Sequence, residues 1–117
     1  MTNLLDETIW EIRDAGRTLE DVAWVGSQGG EYQLTWDEFT KIANVDYYNG
    51  FGAQEVAGDL IVVFDDGSHM YRHEYDGSEY WVYSPRMEPV ISADSKPFRE
   101  VTGGLWVSLA ELNKEAE

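Results

Sequence analysis

The fold is decided by the stretch "DLIVVFDDGSHMYRHEYDGSEYWVYSP", residues 59–85. It contains two Asp-Gly dipeptides, Asp66-Gly67 and Asp76-Gly77, each between runs rich in β-branched and aromatic residues. Asp-Gly between such runs is typical of a two-residue hairpin turn, in which both central residues take a positive φ. The stretch therefore predicts a three-stranded antiparallel meander.

Two-residue turns would fix the register of this meander, and the register decides which side chains share a face. The second turn places Arg72 opposite Trp81, and the first places Phe64 opposite His69. One predicted face carries Leu60, Val62, Phe64, His69, Tyr71, His73, Tyr80 and Val82, and the other carries Ile61, Val63, Met70, Arg72, Trp81 and Tyr83.

Both predicted faces are apolar at their centres, whereas a sheet with one wet face alternates more cleanly. We expect one face to pack on helices. The other is either covered by the rest of the chain or forms a Trp/Tyr/Met surface, so Trp81 and Tyr83 are either core under a terminal helix or anchors for a partner. Arg72 opposite Trp81 predicts a cation–π contact.

Helix signals flank the meander. Asn3 is expected to cap a first helix that ends at Gly16, and Thr35 and Ser108 each have a Glu three residues later, which is the capping-box spacing. The segments "DVAWVGS" and "EYQL" predict further strands, and a glycine-rich loop is expected over 45–58.

These elements together predict one α+β domain over residues 1–117. We expect an antiparallel sheet of about five strands with the meander at its centre, and two or three helices mainly on one face. "MEPVISA" and "FREVTGGLWVSL" are candidates for short edge strands.

The charge is strongly acidic, with 23 Asp and Glu against eight Lys and Arg in 117 residues, a net charge of −15. Direct binding to nucleic acid or to an anionic membrane is therefore disfavoured, because those ligands need basic side chains. A basic protein partner is favoured, or the charge serves solubility alone. The absence of cysteine, of a signal-peptide pattern and of a long apolar run predicts a cytoplasmic protein.

No pattern of catalytic residues stands out. His69 and His73 share a predicted face but have no third metal ligand at a suitable spacing, and Ser68 beside His69 points to the opposite face. Glu55 and Asp59 form a possible carboxylate pair, of the kind that chance produces in so acidic a chain. We expect no catalytic residue, no metal and no cofactor.

Two segments carry a resemblance. The runs "GFGAQEVAGDLIVVFDDG" (50–67) and "RHEYDGSEYWVYSP" (72–85) are similar to small acidic proteins of actinobacterial phages and prophages, which pair a "QEVAxDL" segment with a "YDGSEWW" hairpin. The resemblance covers roughly residues 19–85, and Tyr80 stands where the first Trp of that hairpin would be. It implies a phage accessory protein acting in the host cytoplasm and supplies no catalytic residue.

Two functional hypotheses follow. The first is an inhibitory protein of the counter-defence or host-takeover type, which blocks a basic, nucleic-acid-binding host protein as a DNA mimic would. Its predicted contacts are the hairpin acids Asp65, Asp66, Glu74, Asp76 and Glu79, with Arg72, Trp81 and Tyr83 beside them. The second is an immunity- or antitoxin-like module, or a virion-associated structural protein, that binds one cognate partner through an aromatic sheet face. High salt separates the two, because it screens charge but not apolar contact.

Overall fold

The computed structural model describes residues 1–48, 54–75, 78–85 and 96–114. Within them, three α-helices and a five-stranded antiparallel sheet form the predicted α+β fold. The helices are α1 (Leu4–Asp14), α2 (Trp36–Ala43) and α3 (Leu109–Leu112), and a 3₁₀ turn spans Leu19–Asp21. The strands are β1 (Thr2–Asn3), β2 (Val22–Ser27), β3 (Gln33–Leu34), β4 (Asp46–Tyr47), β5 (Leu60–Phe64), β6 (His69–Tyr75) and β7 (Ser78–Ser84).

The strand order in the main sheet is β3-β2-β5-β6-β7, so the predicted meander of β5, β6 and β7 is confirmed. Strands β1 and β4 form a separate two-stranded pair. All three helices contribute to the hydrophobic core on one face of the main sheet, which we call the inner face. This core includes Leu4 and Ile12 of α1, Phe39 of α2 and Leu109 of α3.

The helices begin where their caps were predicted. The Asn3 side chain accepts a hydrogen bond from the Asp6 N–H at 3.0 Å, and Thr35 and Ser108 each form a reciprocal capping box. Helix α1 is followed by Gly16 at a φ of +81°. Helix α3 begins after the predicted cap Ser108 but is only four residues long, and residues 115–117 lie outside the described residues.

The first hairpin turn differs from the prediction by one residue. The structure pairs Val63 with His69, not Phe64 with His69. The Gly67 N–H donates to the Phe64 carbonyl at 3.0 Å, and Gly67 has a φ of +93° while Asp66 does not take a positive φ. This geometry is a three-residue turn with a glycine bulge, so the predicted two-residue turn is wrong.

The second hairpin has the predicted register, with Arg72 opposite Trp81, although its turn residues 76–77 lie outside the described residues. Because only the first turn differs, β5 is turned over relative to β6 and β7. The inner face carries Leu60, Val62, Phe64, Met70, Arg72, Trp81 and Tyr83, and the outer face carries Ile61, Val63, His69, Tyr71, His73, Tyr80 and Val82. Both predicted faces are therefore corrected.

The C-terminal region adds no strand of two or more residues in its described part, 96–114. "FREVTGGLWVSL" contributes the isolated bridge of Thr102 to Val56, so the predicted edge strand there is wrong, and "MEPVISA" lies outside the described residues. The described ranges contain no helix that is long and apolar enough to cross a membrane.

Candidate functional site

The outer face of β6 and β7 carries neighbouring aromatic and histidine side chains. We call this the outer aromatic patch and define it as Tyr71, His73, Tyr75, Tyr80 and Val82. Tyr75 is 73% exposed and Tyr80 is 40% exposed. The His73 and Tyr80 rings meet edge to face with centroids 5.4 Å apart. The patch therefore presents ring surface to solvent in a fixed arrangement.

The patch continues across the sheet into a buried cluster of Trp24, Ile61 and Val63, against which Tyr71 packs. Three buried nitrogens of this face, Trp24 Nε1, Gln33 Nε2 and His69 Nδ1, have no hydrogen-bond partner among the described residues. In the described ranges only four buried side-chain polar atoms lack a partner, so most of them are on the outer face. Because folded proteins pair nearly all buried polar atoms, this face is less completely satisfied than the core.

The acidic side chains are distributed differently from the exposed aromatic ones. Among the described residues, no Asp or Glu side chain lies on the outer face of the main sheet. The exposed acids lie on helices, turns, connections and the short strand β4: Asp6, Asp14, Glu20, Glu31, Asp37, Glu38, Asp46, Asp65, Asp66, Glu100 and Glu111. The outer aromatic patch is thus a neutral area on an otherwise acidic molecule.

Two of the predicted contacts, Asp65 and Asp66, are exposed at the first hairpin turn. Asp66 accepts hydrogen bonds from the N–H and the hydroxyl of Ser68 and forms an ion pair with Arg17 at 2.5 Å. These partners, Ser68 first, lower the pKa of Asp66 to about 2. Asp66 therefore stays charged, but it is already committed to contacts within the protein.

Of the predicted hairpin-tip acids, Glu74 is half-buried and Asp76 lies outside the described residues. Tyr83 is half-buried, and its hydroxyl accepts a hydrogen bond from Arg17 Nη2 at 2.7 Å. The Arg17 guanidinium also lies 5.7 Å from the centre of the Tyr83 ring. Arg17 thus links Asp66 of the first turn to Tyr83 of β7.

Three predicted partner contacts, Arg72, Glu79 and Trp81, are buried, and their predicted place on a partner surface is wrong. They lie on the inner face, under α1 and the segment that begins at residue 54. The indole N–H of Trp81 donates to the Thr8 hydroxyl at 2.9 Å, so Trp81 is core under a terminal helix.

Glu79 is only 1% exposed and is the acceptor at the centre of a buried ion network. Its carboxylate accepts the N–H groups of Glu55 at 2.6 Å and Val56 at 3.1 Å, and Arg72 Nη2 at 3.1 Å. The charge-assisted bonds to the backbone explain how a carboxylate is tolerated here. Glu79 therefore fixes the 54–56 segment to the sheet.

Arg72 completes the network, which we define as Arg72, Glu79, Glu7 and Tyr47. Its Nη2 also donates to the Tyr47 hydroxyl at 2.9 Å, and its Nη1 lies 3.4 Å from Glu7 Oε1. The guanidinium is 4.9 Å from the centre of the Trp81 ring, so the predicted cation–π contact is confirmed, but inside the protein. Burial is the main cause that raises the pKa of Tyr47 well above its usual value.

Two of the residues considered for chemistry, Ser68 and Asp59, have structural partners. The Ser68 hydroxyl donates to Asp66 and not to His69, and Asp59 accepts the Leu109 N–H at 2.8 Å. The described ranges hold no group of three His, Asp or Glu side chains placed to bind a metal ion. The outer face presents the rings of Tyr75, Tyr80 and His73 to solvent.

Sequence reasoning did not identify Tyr75 and Tyr80 as exposed aromatic side chains. The pairing of His73 with Tyr80 was predicted correctly, so the two rings were known to share a face. The alternation of side chains along the strands does not show which face of the sheet the helices cover. The exposed pair Leu105 and Trp106 was also missed, because "GGLWV" was interpreted as a strand.

Comparison with protein-family models, with curated proteins and with solved structures finds no match. The geometry of the outer face and the distribution of charge are therefore the observations from which a function is proposed.

Proposed function

We propose that this chain is a non-catalytic binding protein whose outer aromatic patch contacts a basic protein partner. The observation that supports this most directly is the neutral patch with exposed Tyr75 and Tyr80 on a molecule of net charge −15. Protein interfaces typically have an aromatic centre depleted of charge and a polar or charged rim. The patch has the composition of such a centre, and the exposed acids lie elsewhere on the molecule, including Asp65 and Asp66 at the first hairpin turn.

The acidic surface indicates that the partner is basic. Carboxylates spread over helices and turns attract a basic protein over long range and speed its association. A nucleic-acid-binding protein presents such a basic surface. Inhibition of a host protein of this kind in the cytoplasm is the form of the proposal that the resemblance to phage accessory proteins favours.

A second candidate is a module that binds one cognate partner through the patch alone, as an immunity protein, an antitoxin or a virion component would. The neutrality of the patch supports it, because contacts centred on aromatic rings need no charge. The two candidates differ in their salt dependence, since exposed charges are screened within roughly 3 Å at 1 M salt and about 10 Å at 0.1 M.

The test is affinity capture from nuclease-treated host lysate with three baits: the wild type, a Tyr75→Ser/Tyr80→Ser variant, and Trp10→Ser. Trp10 is an exposed aromatic on α1, away from the outer face, and serves as the matched control. We expect a basic partner that the control retains and the double variant loses. Loss of the wild-type complex at about 1 M salt supports the charge-steered form, and survival supports the second candidate. Equal capture by all three baits would show that the patch is not the contact surface.

A further inference from the structure

The segment 101–107 is held to the segment 54–58 by backbone hydrogen bonds. The Ala57 N–H donates to the Val101 carbonyl at 3.0 Å, and the Gly58 N–H donates to the Val107 carbonyl at 3.1 Å. The Trp106 N–H donates to the Gln54 carbonyl at 3.0 Å. The loop between residues 101 and 107 is therefore fixed at both ends and near its tip.

This fixed loop exposes two consecutive large apolar side chains. Leu105 is 60% exposed and Trp106 is 64% exposed. Trp106 also has a φ of +54°, the only positive φ of a non-glycine residue in the described ranges. A bulky residue is unfavourable at such a backbone position, where glycine fits without strain. A largely exposed ring at a strained backbone position gains less from burial than a core residue does, and Trp is a residue type that is enriched among the energetically dominant contacts of protein interfaces.

A cavity of about 320 Å³ lies beside this tip, lined in part by Trp106, Asp59 and Glu111. Its described lining residues include no Lys or Arg. Asp59 is half-buried, and burial, with a smaller effect of the Glu31 and Glu111 carboxylates, raises its pKa. An indole ring beside carboxylates is the combination that attracts ammonium and guanidinium groups, through cation–π and charge-assisted hydrogen bonding.

We propose that this cavity receives a lysine or arginine side chain of a protein, while Leu105 and Trp106 cover the apolar surface next to that side chain. The inference rests on the proposed function, because it takes the occupant to be part of the basic partner. Charge complementarity selects this occupant, since the carboxylates repel anions and the chain carries −15 overall. The cavity is thus a second contact with the partner, in addition to the outer aromatic patch.

The first test needs no partner. The probe is Nα-acetyl-lysine methylamide, titrated into the ¹⁵N-labelled full chain, and its uncharged control is Nα-acetyl-norleucine methylamide. The readout is the indole N–H resonance of Trp106, assigned with Trp106→Phe and compared with the indole of the exposed Trp10. We expect a saturable shift of the Trp106 signal with the lysine probe, in the millimolar range and weakened by salt, and no such shift with the norleucine probe.

Two variants show whether the carboxylates are responsible. Glu111→Gln and Asp59→Asn each keep an oxygen that can accept the hydrogen bond made in the wild type, so the fold is expected to survive. We expect each variant to bind the lysine probe at least about fivefold more weakly. Three results would refute the cation site. The Trp106 signal does not shift with the lysine probe, it shifts equally with both probes, or it shifts as much in the two variants as in the wild type.

The second test links the cavity to the partner. Trp106→Ser is used as a bait beside the Tyr75→Ser/Tyr80→Ser variant in the capture experiment. We expect Trp106→Ser to retain less of the partner that the wild type captures. If the lysine probe binds but Trp106→Ser captures that partner as well as the wild type, the cavity is not a partner contact. A failure of the proposed function alone gives a different result. In that case the lysine probe still binds the cavity, but the capture experiment finds no partner that depends on Tyr75 and Tyr80.

Discussion

Replacing Glu79 by Gln tests the buried ion network most directly. The carboxylate accepts three hydrogen bonds, two from backbone N–H groups and one from Arg72. The amide of Gln keeps one acceptor oxygen and turns an NH₂ group toward donors, which leaves Arg72 with less compensation. Breaking a buried ion pair from one side costs about 3–5 kcal/mol. Because Arg72 keeps Tyr47 and Glu7, we expect the lower end, about 3 kcal/mol.

This loss is a large part of the total stability of a small domain, which is about 5–15 kcal/mol. At about 4 °C per kcal/mol, the melting temperature should fall by roughly 12 °C. The assay is urea unfolding followed by circular dichroism, with Glu20→Gln, an exposed site, as the control. We expect the midpoint to fall at an unchanged slope, and the control to stay within about 0.5 kcal/mol of the wild type.

A double-mutant cycle separates the ion pair from the backbone contacts. Arg72→Met combined with Glu79→Gln should cost less than the sum of the two single changes, by about 1–3 kcal/mol. The reasoning is refuted if Glu79→Gln destabilises no more than Glu20→Gln, or if the two single effects simply add. Additivity would mean that Arg72 and Glu79 do not stabilise each other despite their 3.1 Å contact.

Two further changes test the first hairpin turn and the sheet edge. The pKa of Asp66 in the fold is about 2, below the value of about 3.9 for a free Asp, so its ionised form stabilises the fold above about pH 4 and this contribution is lost as the pH falls toward 2. Asp66→Asn should therefore unfold at lower urea than the wild type at pH 6, and the difference should shrink as the pH falls toward 2. A difference that stays constant over this range would contradict the assignment. Gly26→Ala would drive a methyl group into the Tyr32 carbonyl, and we expect a clearly lower urea midpoint, whereas Gly29→Ala, with open space around it, should have little effect.

The sequence predicted the local features of this fold because neighbouring residues determine them. The caps at Asn3, Thr35 and Ser108 depend on residues three positions away, and the second hairpin register follows from one short turn. The first turn could not be decided in this way. Asp-Gly fits both a two-residue turn and a three-residue turn with a glycine bulge, since Gly67 takes a positive φ in either.

The buried ion network and the outer aromatic patch were harder to predict because both depend on contacts between residues that are distant in sequence. Glu79 is satisfied by the backbone of Glu55, which is 24 residues away in sequence, and no local pattern predicts that pairing. Hydrophobic alternation also says nothing about which face α1 covers when both faces are apolar. Tyr80 and Trp81 are adjacent and similar in type, yet one is exposed and the other is core.

The three-residue turn Asp65–Gly67 has a consequence for how such a gene can vary. A deletion or insertion of one codon there would invert the β6–β7 hairpin relative to the rest of the sheet. Arg72 and Glu79 would then turn toward solvent, and His73 and Tyr80 would turn inward. Point substitutions around this turn can accumulate one at a time. A change in its length would instead require simultaneous substitutions on both faces of the β6–β7 hairpin.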